Sequence, residues 1–258
     1  MRLILAQGLR REECSFDIDN TRPDVSLHDD ATCFALLFGH AWQTERVEWL
    51  TAFQLASEFT RTGSIDTSVI DGVFTAVLID WVNARCRIVT DSTRMFYLFM
   101  RQSNEKIELA ERLTDLVDGE TELNQQAMTE LLYLGYMMGE HTLLQDVIRL
   151  PAACEMSIDE RLNVRWNSYM NFKRTGNTVT EAEIHELLEH NILAGLRLSA
   201  NPLLSLTAGL DSRSILSVAH SKHPGITYYT HGSQRSRDVH TARRIAKFLH
   251  LRHVVMTP

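Results

Sequence analysis

Seven residues near the C-terminal end, Thr207-Ala208-Gly209-Leu210-Asp211-Ser212-Arg213, combine types that can grip an anion. An apolar run at 203–206 precedes them and reads as a buried strand. Residues 212–221 follow with helical spacing, Ile215, Leu216 and Ala219 sharing one side. A strand that runs straight into a helix presents the helix's free N–H groups and partial positive charge beyond the strand's carboxyl end. Gly209 allows close backbone approach, and Thr207 and Ser212 supply hydroxyls. Asp211 would repel a bare phosphate, so its carboxylate fits the loop if it holds Mg²⁺ that bridges to phosphate oxygens.

Such a loop needs a sheet to carry it. Beyond it, 226–230 reads as a second strand, 239–249 as a second helix and 253–256 as a third strand, an alternation that implies a parallel sheet. Asp238, ahead of the second helix, suits either a ligand role or a helix N-cap. Upstream, Thr180 with Glu183 three residues on forms a capping box that opens a helix through Ile184, Leu187, Leu188 and Ile192. The polar stretch before it, placed at 173–180, reads as a linker.

The first part of the chain has a different texture. Residues 72–79 are β-branched and apolar enough for a buried strand, and 86–90, 95–100 and 155–158 read as further strands. Asp91-Ser92-Thr93 has turn chemistry. Residues 48–61 have helical spacing through Trp49, Ala52, Phe53, Ala56 and Phe59. A second helix is predicted over 124–138, with Asn124 as N-cap and Leu131, Leu132 and Leu134 as its apolar surface.

The loop resembles the SGGLDSS motif of the ATP pyrophosphatase (PP-loop) group, in the version used by asparagine synthetases. Thr207 stands for Ser, Ala208 for the first Gly and Arg213 for the last Ser. His231-Gly232 followed by Asp238, and the run Ala242, Ile245-Ala246, Leu249 and His253, are similar to the same family. Asp71-Gly72-Val73-Phe74, the 90–97 segment, and Leu134-Gly135-Tyr136 with Gly139, Thr142-Leu143 and Arg149-Leu150-Pro151 resemble its glutaminase-type domain. The fold class this implies is α/β. An N-terminal α+β glutaminase-like sandwich of the N-terminal-nucleophile type would occupy 1–172, and an incomplete, Rossmann-like parallel PP-loop domain 181–258.

The resemblance further implies an ATP-dependent, amide-bond-forming ligase of the asparagine synthase type. A carboxylate would be adenylated, AMP and pyrophosphate released, and an amine would attack. ATP and Mg²⁺ would be its cofactors. Ser205, Thr207, Ala208, Gly209, Leu210, Asp211, Ser212, His231 and Gly232 would hold the nucleotide, with main-chain groups near Ser205 and His231 on the adenine and Asp211 on the metal. Met1 is followed by Arg2 where the family's glutaminases expose Cys, and Cys14 lies too far along, so glutamine hydrolysis is not expected. No catalytic residue is assigned, because the family's later Gly-x-Asp-Glu loop does not occur before Pro258. The alternative is a non-catalytic nucleotide-binding or scaffold fragment of a split or degenerate synthetase. A small-molecule or peptide carboxylate substrate, a separate C-terminal half, or a second copy of the chain are the partners implied.

Composition sets outer bounds. No stretch reaches the ~18 apolar residues of a membrane helix, and the N-terminus lacks a signal-peptide core, so a cytoplasmic protein without membrane partners is expected. The net charge of −7 is unevenly divided. From Ser199 onward eight Lys/Arg face two Asp/Glu, a balance of +6, which leaves −13 ahead of it. A basic back suits a polyphosphate. The acidic front and the lack of aromatic–basic interleaving argue against nucleic acid. His185 and His190 are five residues apart and diverge on a helix, so the HExxH zinc pattern is not met. Four separated cysteines form no CxxC pair and read as reduced, mostly buried thiols.

Overall fold

The structure is a computed structural model that describes residues 1–170, 178–223 and 225–257. Residues 173–177 of the expected linker lie outside the described residues. The chain divides into two compact units, Met1–Lys173 and Arg174–Pro258.

The first unit is built on two antiparallel sheets. One holds β1 (Arg2–Ala6), β2 (Ser15–Asp17), β8 (Phe99–Gln102), β9 (Lys106–Ala110) and β10 (Val147–Arg149), in the order β10-β8-β9-β1-β2. The other holds β3 (Val25–Asp29), β4 (Cys33–Gln43), β6 (Ile70–Asp80), β7 (Arg85–Thr90), β11 (Cys154–Ile158) and β12 (Val164–Ser168), in the order β12-β11-β7-β6-β4-β3. The short β5 (Glu48–Trp49) pairs with β4.

Leu3, Leu5, Ile107 and Leu109 from the first sheet meet Phe34, Leu36, Val77, Ile79, Ile88 and Met156 from the second in one buried cluster. The opposite face of the second sheet, through Ala35, Leu37, Ala76, Leu78 and Val89, packs on helix α1 (Ala52–Thr62). Strands β4 and β6 are therefore buried on both faces, which is why they read as continuous apolar runs rather than as an alternation. Gly39 makes the β4–β6 pairing possible. Its φ is +93°, and a Cβ there would lie 2.2 Å from the Val73 carbonyl oxygen.

Helix α1 starts later than the spacing of 48–61 predicts. Thr51 and Gln54 form a capping box, and Trp49 is held in β5. Local hydrogen bonding at the cap decides the start, since Trp49 carries the right periodicity but no helical backbone. Ala52, Leu55, Ala56 and Phe59 are buried, while Phe53 faces solvent. The strand expected over 95–100 starts only at Phe99 and runs on to Gln102. Asp91 holds the preceding segment in a turn, accepting from the Thr93 N–H (2.6 Å) and hydroxyl (2.5 Å) and from the Phe74 N–H (3.1 Å). Helix α2 (Gln125–Leu134) is capped by Asn124, as expected, but stops short of 138 because Gly135 takes the left-handed conformation at φ 78°. Leu131, Leu132 and Leu134 remain exposed.

The second unit opens with helix α3 (Glu181–Leu198), capped by the Thr180–Glu183 box. Then β13 (Leu203–Ser205), α4 (Leu210–Lys222), β14 (Thr227–His231), α5 (Arg237–Phe248) and β15 (Arg252–Met256) alternate. The three strands are parallel, in the order β13-β14-β15, with Leu204, Tyr228 and His253 in register. Leu196, Leu206, Leu216, Ala219, Ile226, Tyr228 and Ala242 form the core. The run at 203–206 is not the fully buried strand expected. Leu203 is 55% exposed and Ser205 is exposed. Among the described strands β13 pairs only with β14, so it is an edge, and one of its faces lacks a packed layer. Met256 and Val254 on β15 are likewise exposed.

Candidate functional site: a loop braced between two helix starts

Parallel strands followed by helices bring their C-terminal ends to one edge of the sheet. Ser205 ends β13 and His231 ends β14 there, and Gly232 follows with φ +150°. Gly232 donates its N–H to the Met256 carbonyl (2.9 Å), which ties the turn after β14 to the end of β15. Residues 206–209 link β13 to α4. Ser205, 207–212, His231 and Gly232 thus share one edge of the sheet.

The loop's hydroxyls are used to brace it. Thr207 donates its N–H to Ser212 Oγ (3.1 Å), and the two hydroxyl oxygens lie 3.0 Å apart. Thr207 Oγ1 also accepts from the Gly209 N–H (3.0 Å). The chain is thereby folded back on the first turn of α4. Arg213 Nε donates to the Gly209 carbonyl (3.0 Å), so its guanidinium lies along its own helix start.

The start of α4 differs from the other four described α-helices. Thr51, Asn124, Thr180 and Ser236 each place a side-chain oxygen on a first-turn N–H of α1, α2, α3 and α5. The N-cap of α4 is Gly209, which makes no side-chain cap bond. Its first turn, with exposed Leu210 and Asp211, therefore has no capping side chain, and Asp211 is the acidic group at the helix's positive end.

The N-cap role considered for Asp238 belongs instead to Ser236, whose Oγ accepts from the Val239 N–H (3.3 Å). Asp238 sits in the first turn of α5 and accepts from the Ala208 N–H (2.9 Å), across 30 positions of sequence. A carboxylate in that turn is favourably placed by the helix dipole and can also hold the loop. Sequence offered both a cap and a ligand role for Asp238 but could not show this third use, which depends on α4 and α5 starting side by side.

Beneath the loop lies a group the sequence did not single out. Thr230 on β14 is fully buried, and its hydroxyl donates to the Leu206 carbonyl (2.5 Å). His253 Nε2 approaches the same oxygen at 2.9 Å. With the Thr230 proton committed to Leu206, the imidazole is the donor, which fixes the Nε2–H tautomer. Burial, and secondarily Arg243, lower the His253 pKa below its ordinary value. This chain of contacts runs from β15 through β14 to the residue just ahead of Thr207. A lone Thr in a short strand carries no signal of such a role.

A separate groove of about 1010 Å³ lies along α5, lined by Arg213, Arg244, Lys247, Phe248, Leu249 and His250. Of the loop it includes only Arg213.

No family model matches the chain, and no curated protein matches it. Among solved structures it is similar to one described as the allosteric regulatory enzyme of purine biosynthesis, at 8% identity and a TM-score of 0.31 over 92% of this chain. It is also similar to a glutamine phosphoribosylpyrophosphate amidotransferase from B. subtilis complexed with ADP and GMP, at 11% identity and a TM-score of 0.27 over 80% of this chain. The chain spans 62% and 47% of the lengths of those two structures. At these scores neither likeness bears on what the chain does.

Proposed function

We propose that the second unit binds a nucleoside triphosphate with Mg²⁺ through the 207–213 loop, as the nucleotide-binding part of an asparagine-synthetase-like, amide-forming ligase. The observation that carries this reading is the uncapped start of α4 at the carboxyl edge of a parallel sheet, on a loop braced by Thr207, Ser212 and Asp238. Preformed N–H groups of this kind suit the charge of a pyrophosphate leaving group, and each such donor is worth ~3 kcal/mol in a transition state. Asp211 is exposed in the same turn, where its carboxylate would hold the Mg²⁺ that a phosphate needs beside it. Ser205 and His231, at the ends of adjacent strands, would offer main-chain groups to the adenine. The bound triphosphate would activate a carboxylate of a small molecule or peptide for attack by an amine.

The amidotransferase-like reading of the first unit rests on its sequence resemblance and on its two stacked antiparallel sheets. A second reading, a nucleotide-binding scaffold without catalysis, is favoured by Ala208, whose methyl stands where the resembled motif has Gly.

Isothermal titration with Mg·ATP tests the binding step common to both. Binding that weakens by at least about tenfold (~1.4 kcal/mol) in Asp211→Ala is expected. An absence of binding to the unaltered chain would sink the proposal. Unchanged affinity in Asp211→Ala would remove the metal role. ATP–pyrophosphate exchange separates the ligase from the scaffold.

A further inference from the structure

We infer that the β3–β4 hairpin of the first unit carries a divalent transition-metal site made of His28, Asp30 and Cys33, a donor set that fits Zn²⁺. One ligand atom from each residue, an imidazole nitrogen, a carboxylate oxygen and the thiol sulfur, lies within 4.8 Å of the other two. Tetrahedral Zn²⁺ with these ligands places the donor atoms about 3.3–3.6 Å apart. His28 Nε2 and Asp30 Oδ2 are hydrogen-bonded to each other at 3.0 Å, a contact the ion would replace.

The hairpin holds the three groups in place. Asp30 Oδ1 accepts from the Thr32 N–H (2.7 Å), the Thr32 hydroxyl (2.7 Å) and the Cys33 N–H (2.9 Å). That oxygen is committed to the turn, and Oδ2 is aimed at His28. The turn is tied on both sides, since Asp30 donates its N–H to the Cys33 carbonyl (2.9 Å) and Trp81 donates to the Thr32 carbonyl (2.9 Å). The His28 ring stands edge-on to Phe53, with centroids 5.0 Å apart.

The chemistry of the set is selective. A thiolate with an imidazole favours a borderline metal such as Zn²⁺ over Mg²⁺ or Ca²⁺. Cys33 is buried, while His28 is partly exposed and Asp30 exposed, so the ion enters from the solvent side. As the metal–sulfur bond forms, the Cys33 proton leaves to solvent. Water completes the fourth position. Without an ion, Asp30 Oδ1 is held by the turn and Oδ2 by His28, so an ion displaces only the His28 contact.

Titration of the full chain with Co²⁺ tests the site, because thiolate ligation gives a near-ultraviolet charge-transfer band that sites made only of histidine and carboxylate lack. A band that saturates at one ion per chain is expected, with Zn²⁺ displacing the Co²⁺. Cys33→Ser should abolish the band. His28→Ala should weaken binding by about tenfold or more, the least that loss of a supporting partner costs at such sites. His28→Ala alters a partly exposed position, so it carries the decision if Cys33→Ser fails to fold. Absence of the band in the unaltered chain, or a band of unchanged affinity in His28→Ala, would overturn the assignment. Neither result bears on Mg·ATP binding by the second unit.

Discussion

Replacing Thr230 with Val tests whether the loop is held from beneath. The two side chains have nearly the same shape, so the change removes a hydroxyl without opening a cavity. Leu206 is fully buried, and its carbonyl would lose the hydrogen bond from Thr230. An orphaned buried acceptor costs about 1–3 kcal/mol. His253 would lose its 2.9 Å partner, but its ring is only partly buried and can turn toward water, which adds less than about 1 kcal/mol. The added methyl returns less than ~0.8 kcal/mol. The net expectation is a loss of roughly 1–3 kcal/mol, confined to the second unit. All four tryptophans, Trp42, Trp49, Trp81 and Trp166, lie in the first unit, so their fluorescence serves as an internal control. In urea, the helical signal of the second unit should unfold at a midpoint lower by about 1 M while the tryptophan transition stays in place. Hydrogen exchange at the Thr207, Ala208 and Gly209 amides should accelerate in Thr230→Val and stay slow in Thr230→Ser, which keeps the hydroxyl. A loss below about 0.5 kcal/mol, with unchanged loop exchange, would refute the reasoning, since surface changes alone reach that size.

Two further outcomes follow from the same structure. Because burial lowers the His253 pKa in the fold, the unfolded chain binds the proton more readily. The second unit should therefore lose stability as pH falls below the ordinary value of 6.5, levelling off below the lowered folded value. His253→Gln should flatten that slope in urea midpoints measured across the range, and an unchanged slope would exclude His253 as its source. Gly39→Ala should cost about 2 kcal/mol or more, because a Cβ would meet the Val73 oxygen at 2.2 Å from a left-handed backbone. Here the tryptophan transition should move, and a shift equal to that of an ordinary surface alanine would show that β4 and β6 can yield.

The hydrophobic pattern and capping residues of this chain were enough to place many of its elements. The apolar run through 72–79 is β6, Thr180 with Glu183 opens α3, Asn124 opens α2, and the alternation after Pro202 is the parallel β13–β15 sheet with its two helices. These features depend on neighbours a few positions away, where side-chain periodicity and cap hydrogen bonds act. The candidate loop was legible for the same reason, since a Gly-containing turn between strand and helix is local.

Tertiary structure decided what depends on packing. Trp49 joins β5 rather than α1, and Leu203 lies at an exposed edge, because pairing partners and covering layers are distant in sequence. Asp238 reaches Ala208 only because α4 and α5 begin side by side. Thr230 becomes a link between Leu206 and His253 only because three strands stack in register. His28, Asp30 and Cys33 meet only because the turn between β3 and β4 folds them together. A linear sequence shows which groups can donate, accept or ligate. Which of them face one another is set by burial and strand register, and for this loop those long-range terms supply the bracing from beneath.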